Sequence, residues 1–302
     1  MTAPAVALAS GLVVVDKPGG MTSHDVVARI RRLAGTRKVG HAGTLDPMAT
    51  GVLVVGVEKA TRLLGHLTLA DKQYLATIRL GQATSTDDAE GEITAAPGAG
   101  LVTQDGIAAA VAALTGPIEQ VPPGISAIKV GGQRAYKLTR DGQAPELAAR
   151  PVTVHEFDIT ALVRPSDADG DILDLEATVT CSSGTYVRAL ARDLGRALGT
   201  AGHLTKLRRT RSGSYRIEDA RTLDELADEF TVTPLAEAAA AAFPRLDLTE
   251  QDAGRVAHGG RLPAATLPTA DGPAAVFGPD GSLIALMQEE DGRARPLAVF
   301  VP

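Results

Sequence analysis

The apolar residues of this chain arrive in short, β-branched runs closed by glycine and proline, and that spacing leaves few architectures open. Leu12 to Val15 is closed by Asp-Lys-Pro-Gly-Gly, Val52 to Val57 follows a loop rich in glycine, and Gln73 to Leu80 is a third run of the same kind. Runs of this length and composition are strands, because branched side chains suit a pleated surface and the glycine and proline spacing is too tight for a helix. Val152 to Val163 and Ile172 to Cys181 look like a pair. In the second, Leu173, Leu175, Ala177 and Val179 alternate with Asp174, Glu176, Thr178 and Thr180, which predicts a sheet with one wet face. Helices fall in between. Val26, Val27, Ile30 and Leu33 recur at helical spacing behind Thr22 or Ser23 as a cap, Thr103 to Leu114 forms a second segment, and Val187, Leu190, Leu194 and Leu198 give Tyr186 to Leu198 an inward face. Strands and helices do not alternate as βαβ units, so the expected class is α+β.

An alanine-rich segment, AEAAAAAF, precedes the last stretch, where AAVFGPDGSLIALM suggests a hairpin through a Pro-Asp-Gly turn. No internal repeat is visible. The apolar runs fall far short of the roughly 20 residues that cross a bilayer, and the opening MTAPAVALAS lacks the basic residues of a signal peptide, so no membrane and a cytoplasmic location are expected. A single cysteine, Cys181, excludes an internal disulfide, and the six histidines are too scattered for metal-ligand spacing.

The formal charge of −6 argues at first against a nucleic-acid partner, since phosphates are gripped by Lys and Arg. The charge is unevenly spread, however: residues 1–216 are net +3 and residues 217–302 net −9. Two stretches of the first part, Arg29 to Lys38 and Lys206 to Arg216, each hold five positive charges and no acid, and are candidate phosphate-contacting surfaces. Either run alone is more often a solvated face.

The loop Gly40 to Gly51, GHAGTLDPMATG, places the carboxylate of Asp46 between a glycine-rich turn and a proline, just before an apolar strand. Such a stiff backbone can hold a side chain at the mouth of a sheet. By itself an Asp-Pro pair is usually a turn former. Tyr74 alone reads as core packing, Arg188 as a helix-surface residue and His41 as a loop hydrogen-bonder.

In combination the picture changes. GLVVVDKPGGMTS, KVGHAGTLDPMATGVL, DKQYLATIRLG, QVPPGISAIKVGGQRAYKLTR, CSSGTYVRALARDLG and HLTKLRRTRSG follow one another here, and together they resemble the TruB-type tRNA pseudouridine synthases from about Leu12 to about Tyr215. The resemblance implies the pseudouridine synthase fold, a mixed, mainly antiparallel sheet flanked by helices. It implies that Asp46 is the catalytic aspartate, Tyr74 the tyrosine that stacks on the target base, and Arg188 the arginine that pairs with the aspartate. It makes His41 the histidine that fills the space left by the flipped uridine. Lys17, Pro18, Lys129 and Leu207 match positions that shape the substrate pocket or its walls, and Arg208 and Arg209 of the second basic run are expected to bind substrate as well. The implied partner is the T-stem-loop of tRNA with uridine 55 as target, and the implied state is a monomer. The implied organisation is a catalytic domain over residues 1–235, an RNA-contacting insertion at about 119–150, and a short PUA-like or packing domain of mainly β structure over 243–302. The acidic tail departs from the family, which more often ends in a fuller PUA module. LGTAGHL and YKLTR are smaller departures.

The chemistry agrees with what is absent from the motifs. Exchanging a C–N glycosidic bond for a C–C bond is not a redox step, and neither GxGxxG after a strand nor GxxxxGK[ST] occurs, so no cofactor and no metal are expected. The target atoms are hidden inside folded RNA, so the nucleotide must be flipped out and held by stacking and edge hydrogen bonds. Asp46 has to be ionised, and a nearby guanidinium opposes the rise in pKa that burial imposes. Two alternatives stay open at this level. One is a non-catalytic tRNA-binding or folding module, which needs the basic runs but not Asp46. The other is a hydrolase using Asp46 as nucleophile, which needs a second carboxylate or a metal nearby.

Overall fold

The computed structural model describes residues 10–124, 129–130, 133–134, 147–165 and 171–301. Contacts divide the chain into two compact units: Met1–Pro47, Gly51–Ala70 and Ser212–Pro302 form the first, and Met48–Thr50 with Asp71–Arg211 form the second.

In the first unit the strand Gly11–Lys17 runs antiparallel to Thr50–Val57, Val14 opposite Val54, and pairs with Thr233–Pro234 as well. The helix Ser23–Ala34 starts where the spacing places it. Thr22 accepts from the Asp25 N–H while the Asp25 carboxylate takes the Thr22 N–H, a reciprocal cap that satisfies orphan donors at both positions. Val26, Val27 and Ile30 are buried, and Arg31, Arg32, Arg37 and Lys38 stay exposed. One expectation needs correcting. The segment read as a loop from Gly40 to Gly51 opens inside a strand, Val39–Ala42, which pairs antiparallel with Thr50–Val57 and sets His41 opposite Val55. Its partner lies beyond the turn, so local glycine punctuation gives no sign of the pairing.

The C-terminal residues build a five-stranded sheet in the order Arg245–Asp247, Ala274–Phe277, Leu283–Glu290, Arg293–Val299 and Leu262–Pro263. The expected hairpin is present, closed by Gly281 in the left-handed region (φ +78°). The helix Glu250–Ala257 buries Ala253 and Val256 on a cluster that includes Ile284 and Met287. Phe277, Leu286 and Phe300 instead join Leu12, Val14, Val52 and Val54 in a single core. Lys59 Nζ and Arg62 Nη1 reinforce that junction by donating to the carbonyls of Phe300 (2.9 Å) and Val299 (2.5 Å). The acidic C-terminal sheet therefore shares an apolar core with the Gly11–Lys17 and Thr50–Val57 strands and is tied by two charged hydrogen bonds to the helical turn Glu58–Leu63.

The second unit is a sheet in the order Gly202–Ser212, Lys72–Leu80, Leu173–Cys181, Arg150–Val163 and Gly116–Gln120. Leu173–Cys181 is antiparallel to both its neighbours, with Val179 opposite Tyr74. The helices Gln104–Ala113 and Val187–Ala197 belong to the same unit. The expected wet face of Leu173–Cys181 is largely covered: Asp174 and Thr180 are buried. What replaces water is a ladder of cross-strand polar pairs. Arg79 grips Asp174 through Nε and Nη2 at 2.8 and 2.7 Å, Thr77 donates to Glu176, and Thr180 donates to Glu156. Alternation of polarity reports which side chains share a face, and a central strand can satisfy the polar set with its neighbours. Among the described residues no helix is long and apolar enough to cross a membrane.

Candidate active site

The Asp46 loop is held by its backbone. Because Thr22 caps the first helix, the hydroxyl of buried Ser23 can turn to the loop instead, donating to the Leu45 carbonyl (3.1 Å) and accepting from the Leu45 N–H (2.9 Å). On the other side of Asp46, the Pro47 carbonyl accepts from the Gly20 N–H at 2.9 Å and from Lys17 Nζ at 3.1 Å. Lys17 is wholly buried, and its ammonium also donates to the carbonyls of Pro18 (2.9 Å) and Met21 (2.6 Å). One side chain thus ties the turn after the first strand to the residue next to the aspartate. Gly43, at φ +84°, turns the chain out of the Val39–Ala42 strand into this loop. Asp46 itself is half-buried. His41 packs edge-on against His24, their ring centroids 5.5 Å apart and the planes at 80°.

A buried ammonium is tolerated only when its protons are satisfied, and here three carbonyls depend on it in turn. Lys17→Met keeps most of the volume and removes the donor. It is expected to lower unfolding stability by about 1–3 kcal/mol, since the Pro18 and Met21 carbonyls lose a charged donor while the Pro47 carbonyl keeps the Gly20 N–H. Urea unfolding of the two proteins measures this, and an unchanged midpoint would mean that water takes over the role of the ammonium.

In the second unit, Tyr74 is buried at the start of the Lys72–Leu80 strand. Arg188 sits in the first turn of the Val187–Ala197 helix, and its Nη1 lies 3.4 Å from the Asp88 carboxylate and donates to the Thr86 carbonyl at 3.0 Å. Both side chains of that ion pair are buried, 6% and 3% exposed. Asp88 is fixed from behind, because its Oδ1 accepts from the Thr86 hydroxyl (2.5 Å) and the Glu90 N–H (3.0 Å). The segment TSTDDAEGE has the composition of a polar loop, yet it carries a buried carboxylate that braces the candidate arginine. The sequence shows two adjacent aspartates there and gives no indication which is buried.

The Gly202–Ser212 strand holds the remaining candidates. Leu207 is buried, Arg208 Nη1 lies 3.3 Å from the Thr50 hydroxyl, and Arg209 is 1% exposed. The second basic run is thus divided: Lys206 faces solvent while Arg209 is part of the interior, where desolvation by burial and the Arg209 charge bring Lys72 down to about 8. Lys129 begins a two-residue strand paired with Gln133–Arg134, and residues 125–128, 131–132 and 135–146 of the insertion lie outside the described residues. The structure brings Lys17 and Pro18 to the Asp46 loop, and it places Tyr74, Arg188, Leu207, Arg208 and Arg209 together in the second unit. Among the described residues no group of three His, Cys, Asp or Glu side chains is close enough to hold a metal ion.

Comparison with known proteins covers the chain almost completely. A family model described as the N-terminal domain of TruB family pseudouridylate synthase matches residues 31–187. Models for the C-terminal domain of tRNA pseudouridylate synthase B and the C-terminal part of tRNA pseudouridine synthase II match residues 188–242 and 243–301. The tRNA pseudouridine synthase B of Thermobifida fusca (strain YX) is 60% identical over 293 residues, covering 97% of this chain and 99% of its own. That of Arthrobacter sp. (strain FB24) is 59% identical over 299 residues, 97% of each chain. Among solved structures, a chain of a Cbf5-Nop10-Gar1 complex superposes with a TM-score of 0.72 at 28% identity, over 97% of this chain and 85% of that one. A chain of an H/ACA RNP bound to a substrate RNA containing 2'-deoxyuridine gives 0.70 at 26%, with the same coverage.

Proposed function

The chain belongs to the TruB family of pseudouridylate synthases and is an isomerase acting on tRNA, and from that premise we propose that its target is a uridine of the T-loop, position 55, flipped into a pocket served by Asp46. The family membership sets aside the hydrolase and the purely non-catalytic module. The observation that carries the proposal is the loop around Asp46, clamped through the backbone on both sides by Ser23, Gly20 and Lys17 while its carboxylate stays half-buried. A fold holds a carboxylate this firmly where position matters to the chemistry.

The uracil must leave the sugar, rotate and return through carbon 5 without escaping. On our reading Tyr74 stacks on the flipped base and His41 enters the space that it leaves. Asp46 acts as an ionised carboxylate with Arg188 as counter-charge, and Leu207 and Pro18 wall the pocket. Attack on the ring, attack on the sugar and removal of a sugar proton all require that ionised form. Arg208, Lys129 and the exposed Arg31, Arg32, Arg37 and Lys38 supply positive charge for the phosphates, and Arg209 and Lys17 act from within the fold. No cofactor or metal takes part, and the protein works as a cytoplasmic monomer. The test is release of tritium from carbon 5 of uridine in an unmodified tRNA transcript with EDTA present. Release that disappears when uridine 55 is replaced by cytidine is the expected result, and undiminished release from that transcript would overturn the T-loop assignment.

A further inference from the structure

Two consecutive aspartates, Asp87 and Asp88, hold two arginines one helical turn apart. Asp88 faces Arg188, and Asp87 Oδ2 lies 3.1 Å from Arg192 Nη1. Asp87 is one of three non-glycine residues with positive φ among those described, at +58°. The left-handed region is rarely occupied by side-chain-bearing residues, although aspartate is among the more tolerant. Here it lets neighbouring carboxylates reach successive turns of the same helix. The Asp87 carbonyl is used as well, accepting from the Leu204 N–H at 3.0 Å. Burial pushes the Asp87 carboxyl above its usual range, with the Arg192 charge opposing the rise.

Arg192 does more than pair with Asp87. Its Nη2 donates to the carbonyl of Val121 at 2.7 Å, and its Nε and Nη2 both reach the Asp193 carboxylate, at 2.9 and 3.3 Å. Val121 belongs to the root of the insertion, where the chain leaves the Gly116–Gln120 strand. A second pair of bonds fastens the same root to the same helix, because the Gln120 side chain accepts from the Tyr186 N–H (2.8 Å) and donates to the Tyr186 carbonyl (3.1 Å). The planar fork of an arginine suits such a junction, since one guanidinium meets a carboxylate on one side and a main-chain carbonyl on the other, in fixed directions. An ammonium is a point charge on a flexible stem and cannot hold both in register.

We propose that Arg192 is a positioning residue, joining the root of the insertion at Val121 to the Asp87–Asp88 turn that orients Arg188. The inference rests on the assignment of Arg188 to the chemistry.

Bulk unmodified tRNA is the substrate for the test, so that the result does not depend on which uridine is modified. Wild type, Arg192→Ala, Arg192→Lys and Asp87→Asn with Arg192→Lys are compared by kcat, KM, thermal midpoint and hydrogen exchange at the amides of Gln120, Val121 and Gly124; asparagine removes the Asp87 charge and still suits the left-handed backbone. Both Arg192 variants are expected to lose about tenfold in kcat with KM changed less than about twofold, as a small misalignment far from the reacting atoms does. Amides at the root exchange faster, Arg192→Lys keeps the wild-type thermal midpoint without regaining kcat, and adding Asp87→Asn costs nothing further in kcat. A lysine variant with wild-type kcat, or unchanged exchange at the root, overturns the proposal. Arg188→Lys serves as the control: if it too leaves kcat intact, the assignment of Arg188 has failed, and the exchange at residues 120–124 still decides whether Arg192 holds the root.

Discussion

Asp46→Asn is expected to abolish tritium release while leaving tRNA binding in place. Asparagine has the shape of aspartate but neither its charge nor a useful basicity, so it can serve neither as nucleophile nor as base at neutral pH. The loss should exceed about a thousandfold, equivalent to roughly 4 kcal/mol of transition-state stabilisation. The loop itself should survive. Ser23 and Lys17 hold it through the main chain of Leu45 and the carbonyl of Pro47, and the substitution alters neither contact. Binding should survive too, because affinity for RNA resides in basic side chains and phosphates. Single-turnover tritium release and filter binding on the same preparations provide the two readouts. Equal release by both proteins would move the chemistry away from Asp46, and a variant that neither binds nor melts like wild type would mean that the loop depends on the carboxylate.

The elements legible in the sequence are those whose signal is local. The Thr22 cap, the Val26–Val27–Ile30 face, the strand at Thr50–Val57 and the Pro-Asp-Gly hairpin all rest on neighbouring residues, and each stands where those neighbours put it. What escapes depends on partners distant in sequence. The Val39–Ala42 strand exists because Thr50–Val57 offers it an edge, and the polar face of Leu173–Cys181 is covered because Arg79, Thr77 and Glu156 come from adjacent strands. Charge runs mislead for a related reason. Lys206 to Arg216 is one unbroken stretch of positive charge in sequence, yet a strand sends successive side chains to opposite faces, and Arg209 ends in the interior.

The same limit applies to the candidate site. Asp46, Tyr74, Arg188 and His41 are legible only through motifs that resemble a family, because an isolated aspartate before a proline carries little information. The residues that brace them belong to no motif that local reasoning can weigh. Ser23 reads as a possible helix cap, a role that Thr22 fills, and its hydroxyl holds Leu45 for that reason. Asp88 reads as one acid in a solvated loop.

Asp88 carries the second large effect. Its carboxylate and the Arg188 guanidinium form a pair almost wholly removed from water, 3% and 6% exposed. Removing one partner of such a pair takes away much of what compensates a buried charge, at a cost of up to about 3–5 kcal/mol. Asp88→Ala would also abandon the Thr86 hydroxyl and the Glu90 N–H, so its effect on activity would be mixed with a loss of structure. Asp88→Asn separates the two. Its amide oxygen can still accept from Thr86 and Glu90, while its NH2 group faces Arg188 where a carboxylate oxygen stood, and two donors then oppose each other. The arginine must turn away or lose its orientation. The expected result is a fall in kcat of about a hundredfold with little change in KM, because the RNA is gripped elsewhere, and a thermal midpoint below wild type but above that of Asp88→Ala, which loses the Thr86 and Glu90 bonds as well. Steady-state kinetics with a melting curve on each variant decides it. An Asp88→Asn protein with wild-type kcat would show that Arg188 keeps its orientation without the carboxylate, and the brace would then be a feature of folding alone.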